Sequence, residues 1–231
     1  MMSSTQLEPY NINTQSQIHI NLLHYTPLNV CAKAIRTCWD SHAKSDNGGN
    51  VDKDLIYRVG NKNKHKSTLE HLVYSFEIIG ISRACLQELS RHRIASLSVK
   101  STRYTLKELR KEISFCIDSN TLDSIQRAKK YIVFTNDETI NKINIESLER
   151  LRTILVNGTT NDIAKYCLPE CYKTQLVWTI NARSLQNFLQ LRSAKVALQE
   201  IQNLAKAIFH ALPQEHCCLF EEFMNDSNTK N

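Results

Sequence analysis

In this 231-residue sequence the side chains best suited to chemistry lie between Arg83 and Tyr104, R-A-C-L-Q-E-L-S-R-H-R-I-A-S-L-S-V-K-S-T-R-Y. Arg83, Arg91, His92, Arg93, Lys100 and Arg103 supply cations, and Ser96, Ser98, Ser101 and Thr102 supply hydroxyl groups. Guanidinium groups followed by a run of hydroxyls suit the oxygens of a phosphate or pyrophosphate. Ile81, Cys85 and Leu89 recur every fourth residue, which predicts a helix over Ile81 to Arg93. Glu88 then lies one turn from Arg91 and His92. Ser96 to Thr102 reads as a hydroxyl-rich loop. Upstream, Tyr74, Phe76 and Ile78 alternate with Ser75 and Glu77, so Leu72 to Ile79 is a strand that presents the helix at one end of a sheet.

A second stretch carries a charge where none is comfortable. Leu176 to Ile180 reads as an apolar strand, beyond which Asn181 and Arg183 face the same way if the chain stays extended. Ser184 can cap a long helix running to about Ala211. On that helix Leu185, Phe188, Leu189, Arg192 and Val196 form one stripe, which sets Arg192 among apolar neighbours. A buried, unpaired guanidinium costs several kcal/mol at least, so it must meet an anion or acceptors. A structural salt bridge and a negatively polarised substrate both satisfy that need.

The elements around these segments follow in order. Met1 to Gln17 is a polar tail; Ile18, Ile20 and Leu22 mark an early strand. Thr26-Pro27 starts a helix that runs to about Trp39. Asp40 to Lys53 is a long polar loop. Asn61 to Lys66 is a basic run, with a solvated loop as its simplest reading, and Ser67 and Glu70 have the spacing of a capping box. Ile113 to Ile117 is a strand; Thr121 to Phe134 and Glu146 to Val156 are helices, the second stopped by Asn157-Gly158. A short helix over Ile163 to Leu168, opened by Asn161-Asp162, ends at Pro169. Residues 18–224 make one domain, and 225–231 form a polar C-terminal tail.

Lys and Arg total 29 against 23 Asp and Glu, a formal +6 that favours anionic partners without the concentrated basic face of a DNA-binding protein. None of the eight cysteines forms a C-x-x-C pair. With no signal peptide and no apolar run able to span a bilayer, they are expected to be reduced thiols in a cytoplasmic protein without membrane association. The adjacent Cys217 and Cys218 beside His210 and His216 lack zinc spacing, so no metal is expected.

Arg91-His92-Arg93, seven further residues and Ser101 resemble the R-H-R-x7-S signature of the flavin-dependent thymidylate synthases (the ThyX family), and Arg103-Tyr104 continues it. Asn181 to Arg192 resembles that family's N-A-R-S-L-x-N-F-x-x-L-R block. Weaker likenesses occur at Ala34 to Trp39, His65 to His71 and Ala164 to Pro169, in the family's order. The resemblance implies a single α/β (α+β) domain with a central mixed or antiparallel sheet flanked by helices. It implies homotetramers with sites shared between subunits.

It also implies reductive methylation of dUMP to dTMP, with 5,10-methylenetetrahydrofolate as carbon donor and FAD, reduced by NADPH, as hydride source. By position, His65, Ser67, Arg91, His92, Arg93, Asn181, Arg183 and Asn187 match the flavin-binding set. Glu88, Ser101, Thr102, Arg103, Lys165 and Arg192 match the nucleotide-binding set. Arg83, Arg91, Val99 and Lys100 complete that second set, Val99 through its backbone alone. Arg192 matches the arginine that favours ionisation at N3 of the uracil. Cys38 falls near the flavin by resemblance, while its own spacing fits a core cysteine equally well.

Three departures stand out. Val99 replaces a common Glu or Gln, Lys165 an arginine whose bidentate fork is thereby lost, and Thr68 a proline. No G-x-G-x-x-G follows any strand, which argues against a Rossmann dehydrogenase. Two other readings compete: a nucleic-acid-binding module using Arg91, Arg93, Lys100 and Arg103 on phosphates, and a flavoprotein that has lost methyl transfer. The first leaves Asn181, Arg183 and Arg192 unexplained, so no nucleic acid is expected.

Overall fold

The computed structural model describes residues 18–115 and 121–224. The tails expected at 1–17 and 225–231, and the end of the strand expected over Ile113 to Ile117, lie outside the described residues. Alternation of apolar residues builds the sheet. Strand β1 spans His19–Tyr25, β2 Val73–Ser82, β3 Ala95–Val99 and β4 Lys173–Asn181. Tyr74, Phe76 and Ile78 of β2 and Leu176, Trp178 and Ile180 of β4 point to one side and are buried. β2 and β4 pair from Val73 opposite Asn181 to Ser82 opposite Lys173, and the order is β1-β2-β4-β3 with every pairing antiparallel. The sheet class is thus antiparallel α+β. Gly80, at φ +89°, occupies a bulge between Ile79 and Ile81, where an L side chain would be strained.

The helices are α1 (Leu28–Thr37), α2 (Asn50–Tyr57), α3 (Arg83–Leu89), α4 (Thr102–Thr105), α5 (Lys107–Arg110), α6 (Thr121–Ala128), α7 (Glu138–Val156), α8 (Asn161–Ala164), α9 (Ala182–Arg192) and α10 (Gln199–His210). Cys31 and Ile35 of α1, Cys85 and Leu89 of α3, Phe188 of α9 and Leu204 of α10 share a core with the inner sheet face. Its centre is Trp178 edge-on to Phe188, ring centroids 5.0 Å apart. The opposite sheet face, with Glu77, Gln175, Val177 and Ser98, is half-buried or exposed. A second core, including Leu109, Ile145, Leu148 and Leu151, lies among α5 to α7 and meets the sheet through Tyr172, which bridges to Ile132.

Several sequence expectations need correction. The helix expected from Ile81 begins at Arg83 and ends at Leu89, because Ile81 belongs to the inner face of β2 and the buried Ser82 caps the helix, accepting from the Cys85 amide. The expected hydroxyl loop is mostly β3: Leu97 and Val99 alternate with Ser96 and Ser98, and the backbone pairs with β4. The long helix to Ala211 breaks into α9 and α10, which returns Ile201, Leu204 and Ile208 to the core and leaves Val196 96% exposed. Asn181, not Ser184, caps α9, accepting from the Ser184 amide at 2.9 Å. The chain therefore turns at Asn181 instead of remaining extended through Arg183.

Smaller corrections share one cause, tertiary packing over local propensity. α1 starts after Pro27 and stops at Thr37. The polar loop from Asp40 already contains the first turn of α2. Ser67 and Glu70 form no capping box, since Lys66–His71 is a 3-10 helix without a side-chain cap. Ile113 to Phe115 form no strand, α6 ends at Ala128, and α7 starts early at the Asp137 cap. Between α2 and that 3-10 helix, Arg58–Lys62 widens into a π turn. Within it a Cβ on Gly60 would meet the Leu69 side chain at 2.7 Å.

The segment from Asp40 is tied down by charge. Arg36 Nε and Nη2 donate to Asp52 Oδ1 at 2.9 and 2.7 Å, and both side chains are buried. Asp52 Oδ2 accepts from Ser45 Oγ and the Gly48 amide. Burial pushes the Asp52 carboxyl up, but these hydrogen bonds and the guanidinium outweigh it and hold the group below the usual carboxylate range. Arg36 is thus spent within the fold. Asp52→Ala should lower unfolding stability by about 3–5 kcal/mol in urea, because it strands a buried guanidinium. Arg36→Met/Asp52→Ala together should recover part of that loss; an equal or larger loss in the double variant would refute this account.

Candidate active site

Arg192 ends α9 with only 16% of its side chain exposed. Its Nη1 donates to Glu88 Oε2 at 2.5 Å, Nη2 to the Glu88 carbonyl at 3.1 Å and Nε to His92 Nε2 at 3.0 Å. A guanidinium carries five N–H donors, so two remain. The need for acceptors read from the sequence is met, and the salt bridge is the answer found within the chain.

His92 is set by the same contact. Nε of Arg192 can only donate, so His92 Nε2 must accept, which leaves its proton on Nδ1. Burial first, then the adjacent guanidinium, pulls the His92 pKa down to about 4, so the ring is neutral at pH 7. Phe188 packs edge-on against it, centroids 5.1 Å apart. In α3, Cys85 is fully buried, and desolvation followed by Glu200 and Glu88 pushes its thiol far up. It is therefore no nucleophile.

The sheet register distributes the other expected residues. At one end, where β2 begins, β3 begins and β4 finishes, stand His65, Ser67, Arg91, Arg93, Asn181, Arg183 and Asn187. His65, Ser67, Arg91, Arg93 and Asn187 are exposed. Arg183 Nη1 pairs with Glu70 Oε1 at 2.7 Å, linking α9 to the 3-10 helix. At the other end, where β2 and β3 finish, stand Arg83, Val99, Lys100, Ser101, Thr102 and Arg103. Arg103 pairs with Asp162 at 2.7 Å, and its carbonyl accepts from Asn161. The exposed Lys165 follows α8. Arg103, Tyr104, Lys107 and Arg110 line an open cleft of about 320 Å³ there.

β4 has nine residues, about 30 Å, between these ends. Among the described residues the flavin and nucleotide sets are joined within one chain by the hydrogen bond from Arg192 to His92, and no hydrogen bond or ion pair links the residues at one end of β4 to those at the other. Glu88, His92 and Arg192 form the group that the structure does bring together. Sequence reasoning missed Glu70 and Asp162 as partners of Arg183 and Arg103; at separations of 113 and 59 residues no local pattern marks them. Cys38 is exposed, so the core reading of it fails.

The class that fold and site define is an antiparallel α+β protein whose strand ends gather guanidinium, amide and hydroxyl donors, groups that suit anionic oxygens. The family described as thymidylate synthase complementing protein matches residues 21–216. The flavin-dependent thymidylate synthase of Wolinella succinogenes is 62% identical over 201 residues, 87% of this chain and 96% of that protein. That of Helicobacter pylori is 58% identical over 200 residues, 86% and 95% of the respective chains. A crystal structure of the Helicobacter pylori thymidylate synthase X, with FAD and dUMP, superposes at a TM-score of 0.86 with 54% identity, covering 90% of this chain and all of that one. The chain belongs to the flavin-dependent thymidylate synthase family.

Two buried histidines make a pH test. His216 donates to or accepts from the Tyr74 hydroxyl at 2.7 Å, and burial pulls its pKa to about 4, as for His92. Both native values lie below the unfolded value near 6.5, so unfolding takes up protons between pH 6.5 and 4. Stability should be fully present above that window and fall with pH inside it, at up to about 2.7 kcal/mol per pH unit for two protons. Urea midpoints between pH 7 and 5 measure it; a flat profile would contradict neutral burial of both rings.

Proposed function

We propose that the chain reductively methylates dUMP to dTMP with 5,10-methylenetetrahydrofolate as carbon donor, as a cytoplasmic homotetramer whose catalytic unit is residues 18–224. The observation carrying this reading is the 54% identical relative solved with FAD and dUMP, which this chain covers from end to end. FAD, reduced by NADPH, would supply the hydride. The residues present fit such a cofactor: a pyrophosphate needs cations and donors, and Arg91 and Arg93 are exposed and unpaired among the described residues, beside His65, Ser67 and Asn187.

Arg192 would act on the uracil. Its two remaining N–H groups would stabilise the negative charge that appears when N3 ionises, and that charge makes C5 nucleophilic. Glu88 and neutral His92 hold three of its donors and so fix the plane of the guanidinium. Ser101, Thr102, Arg103 and Lys165, with Arg83, Lys100 and the Val99 backbone, would take the ribose and phosphate. Asp162 partly neutralises Arg103, and Lys165 offers a point charge in place of a fork, so the phosphate is held by several modest contacts.

The separation of the two sets supports sites completed between subunits. Arg91, His92, Arg93 and Arg183 of one chain would meet Ser101, Arg103 and Lys165 of another. Neither competing reading gains support: a nucleic-acid module does not account for Arg192 held against Glu88 and His92, and Val99 and Lys165 are conservative enough for binding through backbone and charge.

Arg192→Ala should keep the flavin absorbance of the purified protein while dTMP formation falls roughly 10²- to 10³-fold, the scale for losing one charge-stabilising donor. Full dTMP formation would refute the role. Arg93→Ala and Arg103→Ala should each lower activity alone, whereas subunits mixed before assembly should regain full activity at about a quarter of the sites. Mixed tetramers without recovery would place each site within one subunit.

A further inference from the structure

The helix that carries Glu88 is short, and its angle decides where Glu88 meets Arg192. α3 has seven residues, about 10 Å at roughly 1.5 Å each, so a tilt of about 6° at its start moves its far end by about 1 Å. Cys85 and Leu89 bury one face of it, but apolar contacts have no direction and leave the angle to hydrogen bonds. At the far end the Arg192 guanidinium holds both the side chain and the carbonyl of Glu88.

At the near end stands Ser82, at once the last residue of β2 and the cap of α3. Its amide donates to Glu200 Oε1 at 2.7 Å and its hydroxyl to Glu200 Oε2, while the hydroxyl oxygen accepts from the Cys85 amide at 3.0 Å. Glu200 lies in the first turn of α10, a helix fixed to the core by Ile201, Leu204 and Ile208. Among the described residues no other hydrogen bond joins α10 to β2 or α3. The next two amides of α3, those of Arg83 and Ala84, donate to the carbonyls of Tyr172 and Glu170 on the β4 side.

A carboxylate is the group this junction needs. It accepts on both oxygens, so the Ser82 amide and hydroxyl are satisfied together, and the hydroxyl proton points at Glu200 and leaves a lone pair for the Cys85 amide. Bonds to a charged acceptor are about twice as strong as neutral ones, and with Ser82 only 3% exposed water cannot take their place. We propose that Glu200 is a positioning residue for Arg192: by holding both donors of Ser82 it sets the tilt of α3, and so the place at which Glu88 and His92 hold the guanidinium. Its effect on turnover rests on the reading of Arg192 as the group that acts on the uracil.

The test combines turnover with a signal that needs none. In FAD-loaded Glu200→Ala, kcat for dTMP formation should fall about tenfold, less than the roughly 10²-fold of a 1 Å misplacement, because the Tyr172 and Glu170 carbonyls still hold the helix. KM for NADPH and flavin content should not change. Glu200→Gln, which keeps one acceptor, should recover most of the loss. In an Arg192→Ala background Glu200→Ala should cost nothing further. At pH 7 the nitrogen-15 resonance of His92 Nε2, which accepts from Arg192, should move in Glu200→Ala toward that of a free acceptor nitrogen, while the ring signals of His216 stay in place. A role in stability alone predicts the same fold loss in either background and no selective movement of His92. Either of those results, or an unchanged kcat where Arg192→Ala is impaired, overturns the proposal. Should Glu200→Ala fail to fold, Ser82→Ala, which removes only the hydroxyl arm, carries the same measurements with a smaller loss. Full dTMP formation by Arg192→Ala would end the uracil reading, and the His92 signal would still decide whether Glu200 sets the guanidinium.

Discussion

A guanidinium that cannot give up its charge sits where α3 and α9 meet, and much of this structure answers to it. Glu88 brings a carboxylate and a carbonyl, and His92 brings a ring nitrogen that accepts only because the ring is neutral. The arrangement is mutual: burial and, after it, Arg192 hold His92 unprotonated, and His92 fixes the edge of Arg192. Phe188 and the Trp178 core keep water from diluting either effect. Charge compensation, helix orientation and ring protonation are thus one interaction viewed from three residues.

The antiparallel ladder between β2 and β4 imposes the second constraint. Because the strands run oppositely, segments adjoining the start of β2 and the start of β3 gather at the end of β4, whereas those leaving β2 and β3 gather at its beginning. Residues close in sequence, such as Arg93 and Arg103, are sent to opposite ends by the short strand between them. Residues far apart, such as Arg91 and Arg183, are brought to one end. The sharing of sites between subunits proposed above would bring these two ends together.

The inner strands and the buried charge were legible in the sequence because they rest on short-range patterns. Tyr74, Phe76 and Ile78 show period two, and Arg192 is conspicuous among Leu185, Phe188 and Leu189. β3 was not legible, since Ser-Leu-Ser-Val satisfies both a hydroxyl loop and an edge strand, and only pairing with β4 decides. The break between α9 and α10 was hidden for a similar reason: leucine- and alanine-rich text permits one helix, and the core demands two. The partners of Arg183 and Arg103 lie beyond any local window. Asn181 shows the opposite case, a residue read as a ligand contact by likeness that also has a local duty at the α9 N-terminus.

The wide turn at Arg58–Lys62 has a further consequence. A π turn holds one residue more than an α turn, so it works as a one-residue phase slip in the spiral of side chains. Removing any single residue there would let the hydrogen bonds close in ordinary fashion, yet it would swing the following segment by about 100°. His65 and Ser67 would then face another quarter of the molecule, and Leu69 would leave the groove beside Gly60. The aim of that segment is written in chain length at this turn, independently of which side chains occupy it.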